Sequence, residues 1–444
     1  MAGSHRAPRG GGRAAAREAR RQKARKRNQT IAAGIAVVLL VGGGGVAALN
    51  AFGGDNSPGA NAGSGASDDK SADSNVLTDD KPLLDAATAK PLGATGAWTI
   101  TKTADGSTAP DKAFACQSQR FADPAGLRTW VRTFSNAATK QTAVQYVEVS
   151  NDAAAAGKAY TSIVGWLGQC NSEKQTRLSA SYLTTGVGER GWIAVFGQPS
   201  GTKTKYKTIA VSVAGQATMV LEHDTISGTP PPPNAVLATA AAAAKRICAQ
   251  SGGCSKAAPV ARPSLLPSTE APGFMAPVDL PVLAEIDKPW VSTPAKTGPG
   301  TQCENFDPKK AKATKYGSQT YVTPDAKVPT EFGLDDTVAK FATAKAASTF
   351  VAQIRKNVDG CGKTVSTAKV ESTGEIATSV MKGETWEASF DTGNGKKFTY
   401  RIGVAVSGDR AVYLLFPVLK DLDVTDGGFR ETLIRATERS AAYR

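Results

Sequence analysis

Six cysteines, two histidines and a few close carboxylates are the residues in this 444-residue chain whose types could do chemistry. The cysteines are Cys116, Cys170, Cys248, Cys254, Cys303 and Cys361. No C-x-x-C occurs among them, and the histidines, His5 and His223, do not sit beside a cysteine pair, so a structural zinc site is not expected. An even cysteine count in a chain that leaves the cytosol reads as disulfides. His223, within Glu222-His223-Asp224, would be the only imidazole open to a Ser–His–acid enzyme outside the cell. Alone at the end of a strand-like run, it reads as a turn residue at the surface. Asp335-Asp336 and Glu371 with Glu375 are the carboxylate pairs a glycosidase could use, but they lie in polar stretches that read as solvated. The chain contains no G-x-S-x-G, Walker loop, H-E-x-x-H or dinucleotide fingerprint. The expectation is a chain with no catalytic, cofactor-binding or metal-binding residues.

What positions these residues begins at the membrane. Thr30 to Phe52 carries no charged side chain over 23 positions, enough to span a bilayer core as a tilted helix. Basic residues from Arg20 to Arg27 precede it and Asp55, Asp68 and Asp69 follow, an asymmetry that keeps residues 1–29 cytoplasmic and exports the rest. A cleaved signal would have a shorter apolar core with a better cleavage site than Val46-Ala47-Ala48, and a lipoprotein would need a cysteine before Cys116. The formal charge of +14 has the same origin. Ten basic residues and one acid fall in 1–29, so this tail carries +9 and leaves +5 for the other 415 residues. Its partner is the anionic lipid surface, not nucleic acid.

Residues 53–79 are Gly-, Ser- and Asp-rich and read as a flexible spacer. The globular part then repeats itself. Leu83-Leu84 leads to Trp98 and Leu280-Pro281 to Trp290, and each is followed by a cysteine, Cys116 or Cys303. An amphipathic helix comes next, with Ala156, Ala159/Tyr160, Ile163 and Trp166/Leu167 before Cys170, and Ala347, Phe350/Val351, Ile354 and Val358 before Cys361. Gly188-Glu189-Arg190-Gly191-Trp192 matches Gly383-Glu384-Thr385-Trp386 with one residue of slip. Two β-branched runs about Gly215, and two about Gly408, predict hairpins. A last helix closes each half, at 234–249 and about 428–442.

The expected architecture is α+β: a transmembrane helix over 30–52, then two antiparallel sheets packed with helices, at 80–254 and 280–444, joined by a Pro-rich linker at 255–279. Equivalence between the halves selects Cys116–Cys170 and Cys303–Cys361, leaving Cys248–Cys254 as a local bridge.

The Leu/Pro–Trp opening, the cysteines flanking an Ala-rich helix and the Trp192 and Trp386 strands resemble the exported sensor-like domains of actinobacterial envelope proteins, including the extracellular part of PknH-like receptor kinases. The resemblance implies a mixed antiparallel sheet whose cleft binds an envelope ligand, and it assigns no ligand-contacting residue. The partners expected are the bilayer, through residues 30–52, and a cell-wall ligand or envelope protein. A wall hydrolase and a structural envelope scaffold are the alternatives.

Overall fold

The computed structural model describes residues 76–444, except 94, 171–175, 201–202, 284–285, 295–299, 331 and 394. The tail at 1–29, the span at 30–52 and the spacer up to residue 75 lie outside the described residues. Among those described, no helix is long and apolar enough to cross a membrane. Lys70–Arg444 forms one compact unit.

In the first half, β1 (Trp98–Asp105), β2 (Arg128–Asn136) and β3 (Gln141–Val149) precede α1 (Ala153–Gln169). There follow β4 (Arg177–Thr185), β5 (Arg190–Ser200), β6 (Lys203–Ala214), β7 (Ala217–Ser227), α2 (Asn234–Ser251) and β8 (Val260–Pro263). The second half runs β9 (Val291–Pro294), β10 (Lys315–Val322), β11 (Leu334–Lys340), α3 (Ala344–Asp359) and the single turn α4 (Cys361–Thr364). It ends with β12 (Ala368–Ala377), β13 (Lys382–Asp391), β14 (Lys397–Ser407), β15 (Arg410–Val418) and α5 (Asp426–Ser440). The sheet orders are β1-β2-β3-β7-β6-β5-β4-β8 and β12-β13-β14-β15-β11-β10-β9, antiparallel throughout. Read from β1 and from β9, the first seven strands of each follow one topology, so the halves are two copies of one α+β fold.

Each sheet buries both faces, because alternate residues of its central strands are apolar on both sides. In the first half Met219, Leu221 and Ala210 pack with Val236, Ala240 and Ile247 of α2. Val220, Ile209 and Val211 pack on the other face with Ala156, Ile163 and Leu167 of α1. The second half repeats this, with Leu433 and Phe429 of α5 on one face and Ile354 and Val351 of α3 on the other. Asp152 and Thr343 cap α1 and α3 by accepting the backbone N–H three residues on. The helical stripes read from the sequence are the buried faces, with Trp166 only partly covered.

All three disulfides form as the repeat requires: Cys116–Cys170, Cys248–Cys254 and Cys303–Cys361, at Cα separations of 4.5, 5.1 and 5.1 Å. They mark an oxidising, extracytoplasmic setting.

Register corrects three sequence-based expectations. The turns at Gly215 (φ 54°) and Gly408 (φ 56°) use the left-handed backbone that glycine tolerates, and they align the hairpins residue by residue. Trp192 pairs with Val211 and Trp386 with Ile402, the equivalent of Ile209. The two tryptophans are therefore two positions apart, on the same face. Second, Val76 and Leu77, expected in the spacer, belong to the first half's core. Third, residues 255–279, expected as a linker, are shared between the halves. Val260–Pro263 is a strand of the first sheet, Leu266, Ala276 and Val278 join the core beneath α1, and Phe274 and Met275 join the core of the second half. The second half opens near Phe274, since Phe274 and Met275 lie in its core and Tyr321 Oη of β10 donates to the Met275 carbonyl (2.8 Å).

The seam between the halves is held by charge as well as apolar area. Arg439 of α5 donates Nε and Nη2 to Asp279 (2.7 and 3.2 Å) and Nη1 to the Leu266 carbonyl (2.7 Å), all buried. Arg177 of β4 meets Glu431 of α5 at 3.1 Å.

Candidate functional site

His223 is not a surface turn residue. It lies within β7 and is only 4% exposed. Burial drives its imidazole down to about 4, so it is neutral at physiological pH. The acids flanking it in sequence point to the opposite face, as strand alternation demands. There Lys207 bridges Glu222 and Asp224, Lys205 meets Asp224 at 3.0 Å, and Glu222 Oε2 accepts the Ala115 N–H at 2.6 Å. Burial pushes the Glu222 carboxyl up, against the pull of Lys207. With both acids on the far face, no Ser–His–acid array is assembled from these residues.

The carboxylate pairs do not face one another either. Asp335 and Asp336 point to opposite faces of β11, so they cannot share a proton. Asp336 is fully buried, and neither of its carboxyl oxygens has a hydrogen-bond partner within bonding distance among the described residues. Burial pushes its carboxyl up to about 8, with Asp279 and Asp335 adding to the shift and the nearby Met275 N–H dipole opposing it. It is a neutral acid in a core, where the sequence reads as a solvated stretch. It occupies the place of Gln145, whose Oε1 accepts the Leu84 N–H at 2.8 Å; each pairs across the sheet with an equivalent leucine, Leu414 or Leu221. Glu371 pairs with Lys369, while Glu375 shares Arg355 (3.2 Å) with Glu384.

What the structure does bring together is a set of unpartnered polar atoms at one end of the first sheet, on its α2 face. Trp98, the first residue of β1, meets His223 edge-on with ring centroids 5.7 Å apart. Thr208 of β6 lies directly across from His223, and Thr225 follows two residues along β7 on the same face. Trp98 Nε1, His223 Nε2, Thr208 Oγ1 and Thr225 Oγ1 are all buried with no protein partner. An unpartnered buried polar atom costs about 1–3 kcal/mol, so four together call for water or a ligand that hydrogen-bonds them.

The second half closes the same place. Counting from the aligned turns, Phe416 stands where His223 does and Arg401 where Thr208 does. Trp290 Nε1 donates to the Pro281 carbonyl at 2.8 Å. Trp290, Phe332, Phe416 and Phe429 form a chain of ring contacts 5.3–6.4 Å apart. Arg401 holds Asp423 with two hydrogen bonds (2.8 and 2.9 Å) and Asp426 with a third (2.5 Å). One fold thus carries four buried, unpartnered polar atoms here in its first copy. In its second it carries an aromatic and ion-paired cluster in which Thr323 Oγ1, beside Trp290, is the atom without a partner among the described residues.

A crevice of about 10 Å³, lined by Cys170, Pro277 and Trp290 among others, has room for about one water. An open depression of about 570 Å³ lies over α3 and α4, bordered by Arg355, Lys356, Asp359 and Lys363. Among the described residues no cluster of three His, Cys, Asp or Glu could hold a metal ion.

No protein-family model matches the chain, and no curated protein matches it. Among solved structures, the crystal structure of DynU16, from the dynemicin biosynthetic locus, aligns with 68% of this chain and 96% of its own at 10% identity and a TM-score of 0.12, too low to carry an argument.

Proposed function

We propose that this chain is a single-pass membrane protein, with its N-terminus in the cytoplasm and residues 30–52 as the anchor, that displays two tandem sensor-like domains in the cell envelope. Its role is to bind, not to catalyse, and the first domain is the binding copy. The observation that carries this reading is the contrast at the end of the two sheets. Trp98, His223, Thr208 and Thr225 leave four buried polar atoms unpartnered where the second domain has an interlocked aromatic and ion-paired cluster. The neutral imidazole, the indole N–H and the two hydroxyls bring no charge to the site. They suit an uncharged ligand rich in hydroxyl or amide groups, such as the saccharide part of a wall polymer. The second domain then serves as the rigid support for the first.

His223 is the only histidine after residue 5, so the chain from Lys70 onward gives a single imidazole signal by NMR. Titration with N,N′-diacetylchitobiose as probe should move that signal. His223→Phe, which installs the residue of the second copy, should abolish binding and raise stability by about 1–2 kcal/mol through removal of an unsatisfied group. An unmoved imidazole at saturating probe would defeat the saccharide reading. A destabilised His223→Phe would defeat the idea that the site is held open for a ligand.

A further inference from the structure

We propose that the outer edge of β12 is a docking strand for an extended, basic segment of a partner protein, which adds an antiparallel strand to the second sheet. In the first copy the same edge is filled by the chain itself. There β8 pairs with β4 through Tyr182↔Pro263, Leu183↔Arg262, Thr184↔Ala261 and Thr185↔Val260. Beyond the strand, the Ser264 N–H donates to the Ser181 carbonyl (3.0 Å), Ser181 Oγ donates to the Ser264 carbonyl (2.5 Å), and the fully buried Leu266 anchors the segment.

In the second copy β12 is the last strand of its sheet, and among the described residues no strand pairs with its outer side. The segment after α5 does not supply one. It turns away, placing Tyr443 edge-on against Phe274 at 5.7 Å. An unpaired edge presents a row of free N–H and C=O groups to any extended chain, and strand addition draws its affinity from those main-chain bonds.

Register says which part of the edge is available. Gly191 and Gly383 are equivalent, and they face Thr184 and Ile376, so Tyr182–Thr185 corresponds to 374–377. The bulge of β12 lies between Ser372 and Gly374, and its N-terminal part carries the Lys369–Glu371 ion pair. Bulges and charges of this kind blunt an edge and disfavour pairing of two whole β12 strands from two copies. The four residues after the bulge remain. Within them Glu375, its side chain 70% exposed, stands where Leu183 faces Arg262 in the first copy. A basic residue at the same place in an incoming strand would meet Glu375, whose Oε1 already accepts from Arg355 Nη2 at 3.2 Å and whose exposed side chain has acceptor capacity left for a second cation.

The probe is a synthetic peptide of residues 256–268, the segment that fills the equivalent edge, titrated into the isotope-labelled chain from Lys70 onward. Amide shifts should concentrate at Gly374, Glu375, Ile376 and Ala377. Glu375→Lys should weaken binding about fivefold, the upper end for an exposed ion pair, and Arg262→Glu in the peptide should restore it on that variant. Unmoved β12 amides at millimolar peptide, or no recovery by the charge-reversed pair, would overturn the proposal. Dimerisation through β12 in sedimentation would replace the partner with a second copy of this chain.

Discussion

Arg439→Ala should destabilise the protein by about 3–5 kcal/mol, the usual consequence of stranding one member of a buried ion pair. Asp279 has no exposed side-chain surface, and its carboxylate is held by Arg439 and by the Ala276 N–H at 2.8 Å. Without Arg439, its nearest cation is Arg435 at 3.7 Å. The Leu266 carbonyl would lose its 2.7 Å partner as well. Because this carbonyl and Asp279 belong to the segment wedged between the sheets, the loss should loosen the seam itself. Urea denaturation of the chain from Lys70 onward should show a lower midpoint, and amide exchange should rise at residues 264–283 before it rises in either sheet. Replacing both residues by apolar ones, Arg439→Met with Asp279→Leu, should recover much of the loss, since a packed apolar pair often equals a buried ionic one. A midpoint within about 0.5 kcal/mol of the parent for Arg439→Ala, the range of ordinary surface substitutions, would mean that the seam does not depend on this pair.

The seam also explains why part of the architecture could not be read beforehand. Pro259, Pro263, Pro267, Pro272, Pro277 and Pro281 make residues 255–281 look like a spacer by composition. Yet Pro263 ends an edge strand and Pro277 opens a short 3-10 helix, places where a missing N–H costs little. Leu266, Met275, Val278 and Leu280 between them have too irregular a spacing to announce burial, because they pack against two different cores. The duplication was legible because glycine at 215 and 408 leaves a strong local signal, and the cysteine pairing followed from it. Trp192 and Trp386 misled by two residues since a strand repeats its facing every two positions, and a slip of that size preserves the pattern. His223 was hidden by its charged neighbours, Glu222 and Asp224, which suggest a solvated turn. The hairpin alignment held the contrary signal, for it sets His223 against Phe416, a core residue. Trp98 and Thr208 gave no sign of their role, because an unpartnered N–H or hydroxyl is a property of three-dimensional packing alone.

Asp336→Asn should make the protein more stable at pH 7 by up to about 4 kcal/mol and should remove a pH dependence that the parent shows. The carboxyl titrates at about 8 in the folded chain, against a reference of 3.8. The folded state therefore holds the proton more tightly than the unfolded one. Stability from this group is complete below the unfolded value and is lost steadily as pH rises from about 4 to about 8, at 1.36 kcal/mol per pH unit. Over the roughly three units between the reference value and neutrality, the deficit comes to about 4 kcal/mol. The causes lie on several elements. Burial is foremost; Asp279 of the seam and Asp335 of the same strand oppose ionisation; and the Met275 N–H favours it. Asparagine keeps the shape, carries no proton to lose, and brings the site close to the amide that Gln145 supplies in the first copy. Denaturation midpoints measured at intervals between pH 4 and pH 9 should fall with rising pH in the parent and stay level in the variant over the part of the slope due to this group. Parallel curves would show that Asp336 ionises in the folded chain as it does in the unfolded one, and the neutral acid under Met275 would have to be abandoned.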